Sequence, residues 1–167
     1  VAKIRRLLLE IFEDTSNRLT LIERDYLSNL YAEFAELEER ILKLEVQLKA
    51  LCGQSLECQR LLTIPGIGLL TATALVSSVG DATTFKNGRQ LAAWIGLTPR
   101  QHSSGGKDKL LGISSYLRKL VVHGARSVVF RCQDKDDSRS RWLAATENRR
   151  GTMKATLAQA NKTARIA

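Results

Sequence analysis

The chain has 167 residues, 44% hydrophobic and 26% charged, enough length and apolar content for a packed core, which excludes wholesale disorder. Two prolines and 5% aromatic residues disfavour sandwiches and barrels, and no apolar run or signal-peptide layout is present, so an all-α, cytoplasmic protein with no membrane partner is expected. The net charge of +9 is uneven: residues 1–57 carry 8 Lys and Arg against 11 Asp and Glu, residues 58–167 carry 18 against 6, so the second part is the one built to face a polyanion. That basic part has no helix with a broad apolar face opposite a Lys/Arg face, which favours nucleic acid over a membrane surface.

In chain order, Ile4, Leu8 and Ile11 recur at helical spacing before a turn-forming Asp14-Thr15-Ser16-Asn17. Thr20-Leu21-Ile22-Glu23 reads as a capping box opening a longer helix. Along it Leu27, Leu30, Phe34, Leu37, Ile41, Leu44, Leu48 and Leu51 alternate steps of three and four, the period of a coiled-coil seam. Its partner is either a second copy, giving a dimer or tetramer, or the chain's own first helix. Gly53-Gln54-Ser55 ends the helix, so residues 1–57 form a coiled-coil, oligomerisation region and 58–167 a compact basic helical domain. Within the latter, helices are predicted at about 57–63, 69–79, 87–95, 116–131, 138–148 and 152–164. Cys52, Cys58 and Cys132 lack zinc-ligand spacing and read as reduced thiols, so no metal site is expected among these residues.

Two stretches carry candidate chemistry. Leu62 to Ala72 has the form of a helix-hairpin-helix, extending over about 62–79. Pro65 disfavours helix at Ile64, Gly66 and Gly68 permit positive φ, and Ile67 plugs the gap between the helices. The second helix then offers free N–H groups and a positive dipole end to a DNA phosphate. The alternative is an ordinary αα-turn whose glycines serve chain reversal. The second stretch, about 96–115, is an irregular Gly/Ser loop. Taken bare, Ser103-Ser104-Gly105-Gly106 is a flexible linker. Arg100, Lys107 and Lys109 bracket the serines, however, and would draw a phosphate to them. His102 could serve as a base or be a solvated loop residue. His123 reads as a packed or capping residue, and Trp94 and Trp142 as core rather than base-stacking residues. Arg139, Arg141, Arg149 and Arg150 form either a backbone-contacting surface or a solvated face.

Ile64-Pro65-Gly66-Ile67-Gly68, then Phe85 through Arg89-Gln90-Leu91-Ala92-Ala93-Trp94-Ile95-Gly96-Leu97-Thr98-Pro99-Arg100-Gln101-His102-Ser103-Ser104-Gly105-Gly106-Lys107, then Tyr116 to Arg126 and the closing Ala160-Asn161-Lys162 run resemble the transposases of insertion-sequence one-ten and eleven-eleven elements. The resemblance implies a DNA recombinase directed by a bridge RNA, whose nucleophile maps to Ser104, with Ser103 as fallback. It implies that an N-terminal RuvC-like domain holding Mg²⁺ on acidic residues works with this part. The chain starts in what would be the connecting region, and a fragment inactive alone is expected. DNA contacts are assigned to Gly66, Ile67, Gly68, Arg89, Arg100, Lys107, Lys109, Arg118 and Lys119. Two departures stand out: Gly112-Ile113-Ser114 runs almost directly into Tyr116, where the family has a longer turn, and the chain stops at Ala167, short of the family's tail. The competing reading is a non-catalytic DNA-binding and oligomerisation module.

Overall fold

The computed structural model describes residues 2–14, 17–98, 115–133 and 135–167, and all regular structure among them is helical. The elements are α1 (Ala2–Glu13), α2 (Leu21–Gln54), α3 (Leu56–Leu62), α4 (Leu69–Val79), a 3-10 turn at Ala82–Thr84, α5 (Gly88–Ile95), α6 (Ser115–Phe130), α7 (Ser138–Arg150) and α8 (Thr152–Ile166). The all-α expectation holds, and the six helices predicted after residue 56 lie within two residues of their observed ends. Two compact units result, Val1–Gln47 and Leu48–Ala167, the division falling inside α2 and ahead of the composition change at residue 57. The physical reason is local: Cys52, on the last turns of α2, is buried in one core with Cys58 of α3.

Short-range chemistry sets the helix ends. At the start of α2 the Thr20 N–H donates to Glu23 Oε2 at 2.8 Å and the Glu23 N–H returns a bond to Thr20 Oγ1 at 3.3 Å, the reciprocal box expected. Ser55 Oγ accepts the Cys58 N–H at 3.1 Å to open α3. Asn87 Oδ1 accepts the Gln90 N–H at 3.1 Å while Gln90 Oε1 accepts the Lys86 N–H at 2.7 Å to open α5. The α5 C-terminus closes through Gly96 at φ +82°, whose N–H bonds Ala93 O, with the Leu97 N–H reaching back to Ala92 O. This double closure satisfies two orphan carbonyls and needs a residue at ease in the left-handed region. Asp137 opens α7 by accepting from the Arg139 and Ser140 N–H groups.

In the second unit α8 packs against α5, α6 and α7. Its buried face is Ala155, Thr156, Gln159, Ala160, Thr163 and Ala164, small or polar residues that let neighbouring helices come close. The bulk comes from outside α8: Ile95, Leu117, Val121, Val129 and Leu143 are each at most 1% exposed. Thr156 satisfies its hydroxyl on Thr152 O, as buried polar groups require, and Gln159 Nε2 donates to Thr163 Oγ1 at 3.0 Å while its buried Oε1 has no partner among the described residues.

Candidate nucleic-acid interface

The turn Thr63–Gly68 joins α3 to α4. Ile67 is 6% exposed and sits in the same core as Cys58, Ala72 and Leu75, so its side chain is buried. Gly66 has φ +91°, but Gly68 is extended at φ −98° and ψ −179°. Of the two glycines that permit positive φ, only Gly66 uses it; Gly68 needs only the extended backbone any N-cap adopts. Gly66 faces inward as well. A Cβ placed on it would lie 3.0 Å from Gly124 O, and a Cβ on Gly124 would lie 1.8 Å from Gly66 O. The hairpin turn thus rests backbone to backbone on α6, a contact only a pair of glycines allows.

Gly68, having no side chain, provides no cap to α4. The first ladder bond of α4 runs from the Ala72 N–H to Gly68 O at 2.9 Å, so the Leu69, Leu70 and Thr71 N–H groups precede the ladder at the positive end of the helix dipole. An anion is a fitting acceptor for such a terminus.

Arg118 was expected among the DNA contacts. It is half-buried, its Nε donates to Ile95 O at 3.3 Å, and its guanidinium crowds Gly96 so closely that a Cβ there would meet Nη2 at 2.1 Å. It therefore caps the end of α5 from the first turn of α6, tying together the two stems between which residues 99–114 run. Arg100, His102, Ser103, Ser104, Lys107 and Lys109 lie outside the described residues. Arg89 on α5 and Lys119 on α6 are exposed.

The structure adds Tyr116, Arg126 and Phe130 to Lys119, which was already assigned. Tyr116, Lys119, His123, Arg126 and Phe130 are all exposed, and their spacing places them in one stripe along the outside of α6. Tyr116 and Phe130 are 56% and 59% exposed, and the Arg126 guanidinium lies 5.3 Å from the Phe130 ring centre. His123, read as packed or capping, is exposed, which removes the packed reading. The available signal was the three-and-four spacing of cations and aromatics opposite Leu117, Val121, Ala125 and Val129. Trp94 stacks edge-on to Phe85 at 5.5 Å and Trp142 lies under Lys162 Nζ at 4.5 Å; both are half-buried. On α7, Arg141, Arg149 and Arg150 are exposed and Arg139 half-buried; Arg149 Nε turns back to Ala145 O, and Arg141 Nε approaches Asp136 at 3.8 Å.

Hydrogen bonding from the Ser140 hydroxyl and backbone holds the Asp137 carboxyl below the usual range, and the Thr20 backbone N–H does the same for Glu23. Burial, reinforced by the adjacent Cys58, pushes the Cys52 thiol up, which keeps it protonated and unreactive. Among the described residues no group of His, Cys, Asp and Glu is placed to hold a metal ion, and no helix is long and apolar enough to cross a membrane.

Together these residues give the second unit an uncapped helix start and an outward basic, aromatic stripe. Residues 58–142 match the profile of the transposase IS116/IS110/IS902 family, and the chain belongs to that family. It is 48% identical over 146 residues to a protein of Pseudomonas aeruginosa named a probable family 20 transposase, an alignment covering 85% of this chain and 43% of that protein. It is 47% identical to the transposase for insertion sequence element IS1111A of Coxiella burnetii, covering 84% of this chain and 40% of the relative. It is 38% identical to the transposase for insertion sequence element IS1328 of Yersinia enterocolitica, covering 84% and 43%. The chain spans about two-fifths of the length of these curated relatives.

Proposed function

We propose that this chain is the DNA-handling part of an insertion-sequence transposase in which Ser104 is the nucleophile of strand cleavage and rejoining, with Ser103 as the alternative. The observation that carries the reading is the family match over residues 58–142, which contains both the hairpin and the serine stretch. In the cleavage step, Ser104 Oγ bonds to a DNA phosphorus as the bond from that phosphorus to one deoxyribose oxygen breaks. The serine proton is lost and the leaving oxygen takes one up. The phosphoserine diester conserves the bond energy, so a deoxyribose hydroxyl reverses the step on a new strand and rejoins the DNA.

In this reading the Thr63–Gly68 turn is a helix-hairpin-helix whose α4 amides hold a backbone phosphate, which positions the duplex without reading its sequence. Arg89, Lys119 and Arg126 contribute sequence-independent charge. Arg118 holds the stems of the serine stretch, while Arg100, Lys107 and Lys109 supply the charge beside the reacting phosphate. A Mg²⁺ ion on a RuvC-like domain outside these residues would supply further charge stabilisation. A bridge RNA directs the whole protein to its targets, and copies associate through α2, as a dimer or tetramer, in the cytoplasm at the nucleoid.

The test is a covalent adduct. The full-length transposase with Mg²⁺, guide RNA and labelled target DNA should yield a protein–DNA species that survives denaturation, and Ser104→Ala should abolish it while leaving DNA binding nearly intact. Peptide mapping to Ser103 would move the assignment by one residue. Undiminished strand cleavage by a Ser103→Ala, Ser104→Ala double variant would overturn serine catalysis and leave metal-assisted hydrolysis.

A further inference from the structure

Within the first unit α2 has two different sides. α1 lies on one of them: the Phe12 ring meets Tyr31 edge-on at 6.0 Å, and Arg24 bonds Phe12 O at 3.3 Å and Asp14 O at 3.0 Å. Leu27, Ala35 and Glu38, at helical spacing with Arg24 and Tyr31, are half-buried on that same side. The predicted seam is thereby split. Four others, Leu30, Leu37, Ile41 and Leu44, form a stripe about a quarter-turn away and are 43%, 47%, 54% and 57% exposed, while Phe34, between the two sides, is half-buried. Exposed Glu33 and Arg40 flank this stripe on the edge away from α1.

We infer that this stripe is the contact face for a second copy of the chain running antiparallel, with the two-fold axis passing at Leu37. The inference rests on the reading of α2 as the association helix and adds its orientation and register. At 1.5 Å per residue, Leu30 and Leu44 stand about 10.5 Å to either side of Leu37, so a two-fold rotation sets each on the other from the second copy. Leu37 meets its own equivalent. Glu33 lies about 6 Å before the axis and Arg40 about 4.5 Å beyond it, so each Glu33 faces the second copy's Arg40 with about 1.5 Å of axial offset. The face is self-complementary in both shape and charge, as a closed two-fold contact requires. A parallel pair instead sets Glu33 against the flank that carries Glu38, carboxylate to carboxylate, on the side that α1 occupies.

Charge reversal and cross-linking of the full chain decide the orientation. Sedimentation should show a dimer that Glu33→Arg weakens about tenfold, since two facing pairs per dimer turn from attraction to repulsion. Adding Arg40→Glu to Glu33→Arg should restore it. A mixture of Leu30→Cys and Leu44→Cys chains should give a mixed cross-linked dimer with a short polar bis-maleimide, whereas each variant alone should not. Cys52, Cys58 and Cys132 are at most 3% exposed and stay silent, and circular dichroism verifies that each variant folds. A parallel contact gives the opposite results: Glu33→Arg tightens the dimer and Leu30→Cys links to itself. That outcome overturns the inference and leaves α2 as an association helix. A chain that sediments as a monomer at high micromolar concentration overturns both.

Discussion

Gly124→Ala is a single methyl group placed where two backbones touch. Its Cβ would fall 1.8 Å from Gly66 O and 2.9 Å from Gly66 C. Neither atom can swing aside as a side-chain tip would, so α6 and the turn must separate by more than an ångström. Ile67, next in the chain and buried with Cys58, Ala72 and Leu75, moves with the turn. Overpacking of this kind costs about 1–3 kcal/mol, and for a chain of this size each kcal/mol lowers Tm by roughly 2–4 °C. Gly66→Ala meets the milder 3.0 Å contact but adds left-handed backbone strain of about 1–2 kcal/mol. Gly68→Ala is the control: its backbone is extended and nothing lies within 4 Å of the added Cβ. It should be neutral or gain up to about 1 kcal/mol through the unfolded chain. Thermal and urea unfolding measure stability, and fluorescence anisotropy on two unrelated duplexes measures binding. Gly124→Ala and Gly66→Ala should lose stability and, with the turn displaced, bind both duplexes more weakly. A Gly124→Ala chain as stable as the parent, or a Gly68→Ala chain destabilised as much as Gly66→Ala, would refute the backbone contact.

Arg118→Ala should destabilise the second unit by about 1–2 kcal/mol because the Ile95 carbonyl loses its charged donor in a half-buried setting, with Arg118→Lys falling between; urea midpoints check this. Acid should weaken the α7 cap: the folded Asp137 carboxyl titrates below its ordinary value, so its contribution is present above the unfolded pKa and is lost as pH falls through the folded one. The Tm gap between parent and Asp137→Asn should therefore be widest near neutrality and close in the acid range below the ordinary carboxylate value; a constant gap would show that ionisation is not what stabilises the cap. Lys119→Ala and Arg126→Ala should each flatten the salt dependence of DNA binding by about one counterion, equally for unrelated sequences, as a titration from low to moderate salt would register.

How much was legible in advance depended on how local each feature is. The capping box at Thr20 and Glu23 and the helices after residue 56 follow from hydrogen bonds and periodicities spanning a few residues, and the chain states those directly. So does the family, since the motif at residues 64–68 and the Arg89–Gly96 run are contiguous. The rest depends on which surfaces meet. Gly66 reads alone as a turn former; its pairing with Gly124, 58 positions on, exists only once α6 lies beneath the hairpin. Arg118 and Lys119 are adjacent cations on one helix, yet their neighbours make one a cap for Ile95 O and leave the other in solvent. The seam of α2 is uniform in sequence, and only the reach of a twelve-residue α1 divides it into a covered side and an open one. Burial and close approach are properties of pairs of distant residues, and a linear pattern records each residue's chemistry without recording its partner.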